Sequence, residues 1–189
     1  RRHSFPTRRS SDLTEDEKRF YTWTLQSHID LARAVWLDYC ECKMIDTIAR
    51  EPLWRHLINY RCGTGHSVSF VGNVHEGPHA LNSRNTTRMR PGMVVTDEPG
   101  VYETDLVGIR IENELVCVHK ADNQYGTFLG FEPLMFVPIA TSPILPGVLD
   151  KDEIAWLNDY HRQVFAKLAP HLNDEERSWL AEKCAAIGC

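Results

Sequence analysis

The chain has 189 residues, 42% of them hydrophobic and 25% charged, with a formal net charge of −5. That size and apolar content suffice for one sizeable core, and no apolar run approaches the length of a membrane span, so a soluble protein is expected. The negative balance argues against general nucleic-acid binding.

Residues 1–13, RRHSFPTRRSSDL, differ from the rest: four arginines against one aspartate give +3, leaving −8 for the remainder. Low hydrophobicity predicts disorder here. An Arg- and Ser-rich start suggests a transit peptide, but the stretch is short and has no initiator methionine. It reads as non-native, adapter-derived sequence. Thr14-Glu15-Asp16-Glu17 is a capping box that predicts a helix to about Trp36, with Phe20, Trp23, Ser27, Leu31, Ala34 and Val35 near one face. His28 on that helix reads as a packing or surface histidine. Met44–Arg50 and Leu53–Leu57 read as helical pieces punctuated by Pro52.

Cys62 to His79 holds three histidines and five glycines or prolines around an apolar run. That run, Val68 to Val74, has the length of a buried strand, with His66 at its start and His75 just past its end. His75-Glu76-Gly77-Pro78-His79 matches the zinc-protease pattern H-E-x-x-H only as text. The pattern needs both histidines on one helix face, and Gly77-Pro78 occupies the helix interior. Residues 79–90 are polar and read as a surface loop whose arginines (Arg84, Arg88, Arg90) solvate it.

Met93–Tyr102 reads as a strand delivering Glu98 to a turn, and Gly108–Val118 as the returning strand. Alternation puts Arg110, Glu112 and Glu114 on one face and Ile109, Ile111 and Leu115 on the other. Two carboxylates from neighbouring strands plus a strand histidine suit a hard or borderline divalent cation. Taken singly, each of these residues is as well explained as a hydrogen-bonded histidine, a turn residue or a solvated charge.

A turn follows at residues 121–126, then a strand-like run from Phe128 to Ile139. Asp150-Lys151-Asp152-Glu153 and Asn173-x-x-Glu176 open two further helices, the first ended by Pro170. Its stripe is Ile154, Leu157, His161, Val164, Phe165 and Leu168. Both helices read as packing or a dimer surface. The six cysteines (Cys40, Cys42, Cys62, Cys117, Cys184, Cys189) form no C-x-x-C pair, and a secretory signal is absent. They read as reduced thiols of a cytoplasmic protein.

In order, GTGH, VHEGP, TDEPGxY and GIRIEN resemble the aminopeptidase P (Xaa-Pro aminopeptidase) family of pita-bread metallopeptidases, from about Thr14 to the C-terminus. FEPLxxVPI, from Phe131 to Ile139, resembles the C-terminal extension of its longer members. The resemblance implies an α+β fold: the C-terminal half of a pita-bread domain, a curved antiparallel or mixed sheet with covering helices, truncated at its N-terminus. The implied organisation is a tail (1–13), a partial catalytic domain (14–122) and a C-terminal extension of one strand and two helices (123–189).

The same resemblance implies two divalent metals, Mn2+ foremost with Zn2+ and Co2+ as alternatives, held by two aspartates, one histidine and two glutamates. Carried over, His66, Glu98 and Glu112 are metal ligands, Glu98 doubling as general base. His75 assists proton movement, and Arg110 orients the acidic ligands. Cys62 stands where the family has a substrate-holding histidine, which touches proline recognition, and Ser67 replaces a usual glycine. The two aspartates would lie upstream of Thr14, the second near His3. The implied function is removal of an N-terminal residue preceding proline, from a peptide substrate, with no nucleic-acid or membrane partner and a homodimer in the full-length parent. The alternatives are a prolidase acting on Xaa-Pro dipeptides, a pita-bread module that binds without catalysis, and a non-metal relative acting on small amidines. The chain alone, short of two carboxylate ligands, is expected to be inactive.

Overall fold

The computed structural model describes residues 13–188, so Cys189 and all of the expected tail but Leu13 lie outside the described residues. Helix α1 spans Glu15–Ala32 and opens on the expected capping box: Thr14 Oγ1 accepts the Glu17 N–H at 3.2 Å, and Glu17 accepts the Thr14 N–H at 2.7 Å. Acidic residues in its first turn meet the positive end of the helix dipole. Thr22 and Thr24 donate their hydroxyls to carbonyls four residues back, which allows both to be buried. The helix ends four residues short of Trp36, because Val35–Leu37 becomes strand β1. β-Branched and aromatic residues with a strand partner at Val35↔Gly130 favour the sheet over another helical turn.

The two helical pieces around Pro52 are one helix, α2, Cys42–Trp54. Proline sits in its last turn, where the missing N–H forfeits a single bond before Leu57, at φ 59°, closes the segment. Next come β2 (Gly65–His66), β3 (Ala80–Leu81), β4 (Val94–Asp97), β5 (Gly100–Glu103), β6 (Val107–Arg110), β7 (Asn113–Asn123) and β8 (Gly126–Pro133). Strands β1, β8, β7 and β4 make one antiparallel sheet in that order, while β2–β3 and β5–β6 are separate two-stranded pairs. In β7 the predicted alternation holds. Asn113, Leu115 and Cys117 are buried and the residues between them are not.

Two expectations fail along this stretch. Val68–Val74 forms no strand: Phe70 and Val71 are 103% and 87% exposed, and the strand stops at His66. An apolar run becomes a strand only where a partner edge accepts its backbone, and β3 pairs with Gly65 and His66 alone. Nor is 79–90 only a solvated loop, since His79, Leu81 and Met89 are buried and β3 lies within it.

Helices α1 and α2 cover one face of the sheet. Leu31, Ile45 and Ala49 meet Leu81, Val95, Leu115, Leu129 and Phe131 in the largest apolar cluster. Fully burying each such leucine stabilises the fold by about 1.5–3 kcal/mol relative to leaving it exposed. Helix α3 (Lys151–Leu168) starts at the Asp150/Glu153 capping box, and one 3-10 turn at Ala169–His171 carries Pro170. Helix α4 (Asp174–Lys183) starts at the Asn173/Glu176 box. Leu157 of α3 packs against Leu25 and Ile29 of α1, and Gln26 donates to both Glu153 oxygens at 3.0 Å. The fold is thus α+β: a partly open antiparallel sheet covered by helices. No described helix is long and apolar enough to cross a membrane. Cys40, Cys42, Cys62, Cys117 and Cys184 are free thiols.

Candidate metal centre

The hairpin from Val94 to Val116 places most of the site. Strands β4 and β7 pair from Val94↔Val116 to Asp97↔Asn113, and β5–β6 resume at Gly100↔Arg110 in the same register. Continuing that register through the break sets Glu98 opposite Glu112. Glu98 is buried, Glu112 exposed. The break is narrow, with the Ile111 N–H donating to the Pro99 carbonyl at 3.4 Å.

Strand β2 runs antiparallel alongside β4 of this hairpin. The Glu98 N–H donates to the Thr64 carbonyl at 2.7 Å, and Ser67 bridges Val95. The approach is close enough that a Cβ on Gly65 would lie 1.7 Å from the Thr96 carbonyl oxygen. His66 therefore arrives beside Glu98, its Nε2 2.9 Å from Glu98 Oε1. Its Nδ1 lies 3.1 Å from the Ser67 carbonyl, so both ring nitrogens face oxygen acceptors. Arg110 Nη1 donates to the other oxygen, Oε2, at 2.5 Å. Burial alone would push the Arg110 guanidinium down, but the neighbouring Glu98, Tyr102, Cys62 and Glu112 hold it above its ordinary value.

His75 is exposed, yet its ring centroid lies 4.0 Å from that of His66. Cys62, His66, His75, Glu98 and Arg110 line one cavity of about 300 Å³. Glu112 is not in its lining, though its charge reaches Arg110 and Asp97. Among the described residues, no three His, Cys, Asp or Glu side chains group closely enough to hold a metal ion. The donors that do meet are an imidazole nitrogen and a carboxylate oxygen, a pair suited to part of a ligand set for a borderline divalent cation.

Below the site lie two polar groups that sequence reasoning missed. Arg50 is buried and donates to Asp46 at 2.7 Å, to Asn59 at 3.0 Å, and to the carbonyls of Tyr60 and Cys62 at 2.8 and 2.9 Å. Thr64 donates to the other Asp46 oxygen and meets the Tyr60 hydroxyl. This network pins the approach to β2 onto α2. Its only sequence signal was the i,i+4 spacing of Asp46 and Arg50. On the other side of β4, Asp97 and His28 are both wholly buried, 3.1 Å apart. Burial pushes the Asp97 carboxyl up, and His28 opposes the shift. His28 is thus a core histidine beside the site, while His79 Nε2 donates to the Val94 carbonyl at 2.7 Å.

The chain is similar to known metallopeptidases. The sequence profile of metallopeptidase family M24 matches residues 5–119, and that of the C-terminal region of peptidase M24 matches residues 127–187. Aminopeptidase P2 of Arabidopsis thaliana is 42% identical over 177 residues, which is 90% of this chain and 25% of that protein. The crystal structure of X-prolyl aminopeptidase from Caenorhabditis elegans, described as a cytosolic enzyme with a di-nuclear active site, superposes with a TM-score of 0.88 at 37% identity. It covers 94% of this chain and 30% of its own. Prolidase from Pyrococcus furiosus reaches a TM-score of 0.54 at 26% identity, over 64% of this chain and 33% of its own. The chain therefore spans about a third or less of these relatives' length.

Proposed function

The chain belongs to metallopeptidase family M24, and on that premise we propose that it is part of a metal-dependent Xaa-Pro aminopeptidase, the whole of which removes an N-terminal residue that precedes proline. The observation that carries the proposal is the meeting of His66 Nε2 and Glu98 Oε1 at 2.9 Å in a cavity that also holds His75 and Arg110. Divalent metals, Mn2+ foremost, would supply a Lewis acid for the scissile carbonyl and a water acidic enough to attack at neutral pH. His66 and Glu98 would hold them, with Glu112 joining from the opposing position and further carboxylates from outside the described residues. Glu98 takes the proton of the attacking water. Arg110, on the second Glu98 oxygen, keeps that carboxylate aimed. His75, exposed at the rim, exchanges protons between the substrate amide and solvent. Cys62 lies in the wall of the same cavity, where it would touch the substrate and bear on proline recognition.

The second reading is a prolidase confined to dipeptides. The aminopeptidase structure covers 94% of this chain and the prolidase 64%, which favours the first. The site also retains an imidazole, a buried carboxylate and its arginine partner in contact, an arrangement that a binding-only module does not require. A cytosolic location and a homodimeric parent belong to the same proposal. For residues 1–189 alone we propose no turnover and weak Mn2+ binding, because fewer than three metal-binding side chains gather among the described residues.

The test is to assay the whole protein on a tripeptide with proline in second position and on an Xaa-Pro dipeptide. Each is measured with metal, after chelation, and after Mn2+ is restored. Cleavage of the longer peptide that follows the metal is the expected result. Cleavage of dipeptides alone would move the assignment to prolidase, and turnover by the isolated chain would refute its proposed incompleteness.

A further inference from the structure

We propose that Thr96 is the positioning residue that locks His66 and Glu98 together, an inference that rests on the metal-site reading above but is tested without it. The hydroxyl of Thr96 is buried and makes two hydrogen bonds whose directions are forced. The His66 backbone N–H, 2.9 Å away, can only donate, so the hydroxyl oxygen accepts. Glu98 Oε1, 2.8 Å away, accepts as a carboxylate, so the hydroxyl hydrogen points there. One side chain thus ties the backbone of β2 to the reacting end of β4 and uses its only hydrogen to do so.

The same Glu98 oxygen faces His66 Nε2 at 2.9 Å, which closes a ring: His66 backbone, Thr96 hydroxyl, Glu98 carboxylate, His66 imidazole. With Arg110 on Oε2, both carboxylate oxygens are anchored before any ligand arrives. Period 2 along β4 puts residues 96 and 98 on one face, which is why a threonine two residues ahead can reach the glutamate. Gly65 completes the device, since any side chain there would strike the Thr96 backbone and push His66 away. Without the hydroxyl, the His66 amide would lose its partner, and Glu98 would be held by Arg110 and the His66 ring alone.

The experiment compares Thr96→Val, nearly isosteric but without a hydroxyl, with Thr96→Ser, which keeps it, in the full chain. Amide hydrogen exchange at His66 is the first readout and needs no metal. Valine should accelerate it by about tenfold or more while leaving the amides of β7 unchanged, and serine should restore protection. Mn2+ alone is the second probe. Valine should weaken its binding by about 10- to 100-fold and serine should recover most of that loss. Should valine prevent folding, Thr96→Ala removes the hydroxyl without adding bulk and gives the same comparison. Unchanged His66 exchange in the hydroxyl-free variants, or failure of serine to rescue it, would overturn the proposal. Intact exchange effects with no Mn2+ binding by the parent chain would instead count against the metal reading while upholding the role of Thr96.

Discussion

Gly65→Ala is the sharpest probe of how the site is assembled. The added methyl would lie 1.7 Å from the Thr96 carbonyl oxygen, 2.7 Å from its carbon and 3.2 Å from its hydroxyl. Ordinary carbon–oxygen contact needs more than 3 Å, so the two strands must part by well over an ångström. The obstacle is backbone and cannot rotate aside. The strands are also held by the Glu98–Thr64 bond at 2.7 Å and the His66–Thr96 bond at 2.9 Å, and separation breaks one or both. Overpacking costs about 1–3 kcal/mol, and losing a buried hydrogen bond adds about 1 kcal/mol, so destabilisation of roughly 3 kcal/mol is expected. Urea unfolding followed by tryptophan fluorescence reads this as a midpoint lowered by about 1.5 M, for a slope of about 2 kcal/mol/M. Gly77→Ala, whose new methyl meets nothing within 4 Å, should change the midpoint little. A Gly65→Ala loss below about 1 kcal/mol would refute the claim that the backbones touch.

Three further outcomes are expected. Arg50→Leu strips the buried Asp46 of its charged partner, leaving it only the Thr64 hydroxyl, and leaves two carbonyls bare, and should destabilise by about 3–5 kcal/mol in the same urea assay. Burial pushes the His161 imidazole down, and its Nε2 accepts the Ile139 N–H, which requires the neutral ring. The unfolded chain binds this proton near pH 6.5 and the folded chain only lower, so stability falls as pH drops below about 6.5. Melting temperatures measured from pH 8 to 5 should show this slope, and His161→Gln should flatten it. Phe70→Ser alters a side chain with no packing to lose, so it should move stability by less than about 0.5 kcal/mol and reduce self-association in light scattering.

The parts of the molecule readable from sequence are those governed by neighbours in the chain. All three capping boxes, at Thr14, Asp150 and Asn173, formed as spaced, because their hydrogen bonds close over three residues. Of the face read as Ile109, Ile111 and Leu115, the last two are buried and Ile109 is half-buried, again a matter of local alternation. What failed depended on remote partners. Val68–Val74 has a strand's composition and lacks a strand's neighbour. The polar segment 79–90 hides Leu81 and Met89 in a core that α2 and β4 complete. Pro52 was read as a break, but a helix already near its end tolerates it. At the site, His66, His75, Glu98 and Arg110 were named from motif order and do share a cavity. Thr96 was invisible except as the residue two before Glu98, and the Asp46–Arg50 network except as an i,i+4 pair.

Strand β8 pairs with β7 on one edge and β1 on the other, so it stands inside the sheet although the two M24 profiles meet just before it. The seam seen along the sequence is therefore no seam in the folded object. Cutting the gene between residues 119 and 127 would split a hairpin, orphan β1, and bare the edge of the strand whose other side steadies β4. The C-terminal region is accordingly not a detachable module to be shuffled between proteins. Without it, β7 and β1 would each present an unpaired edge, the kind of surface that templates pairing with another chain.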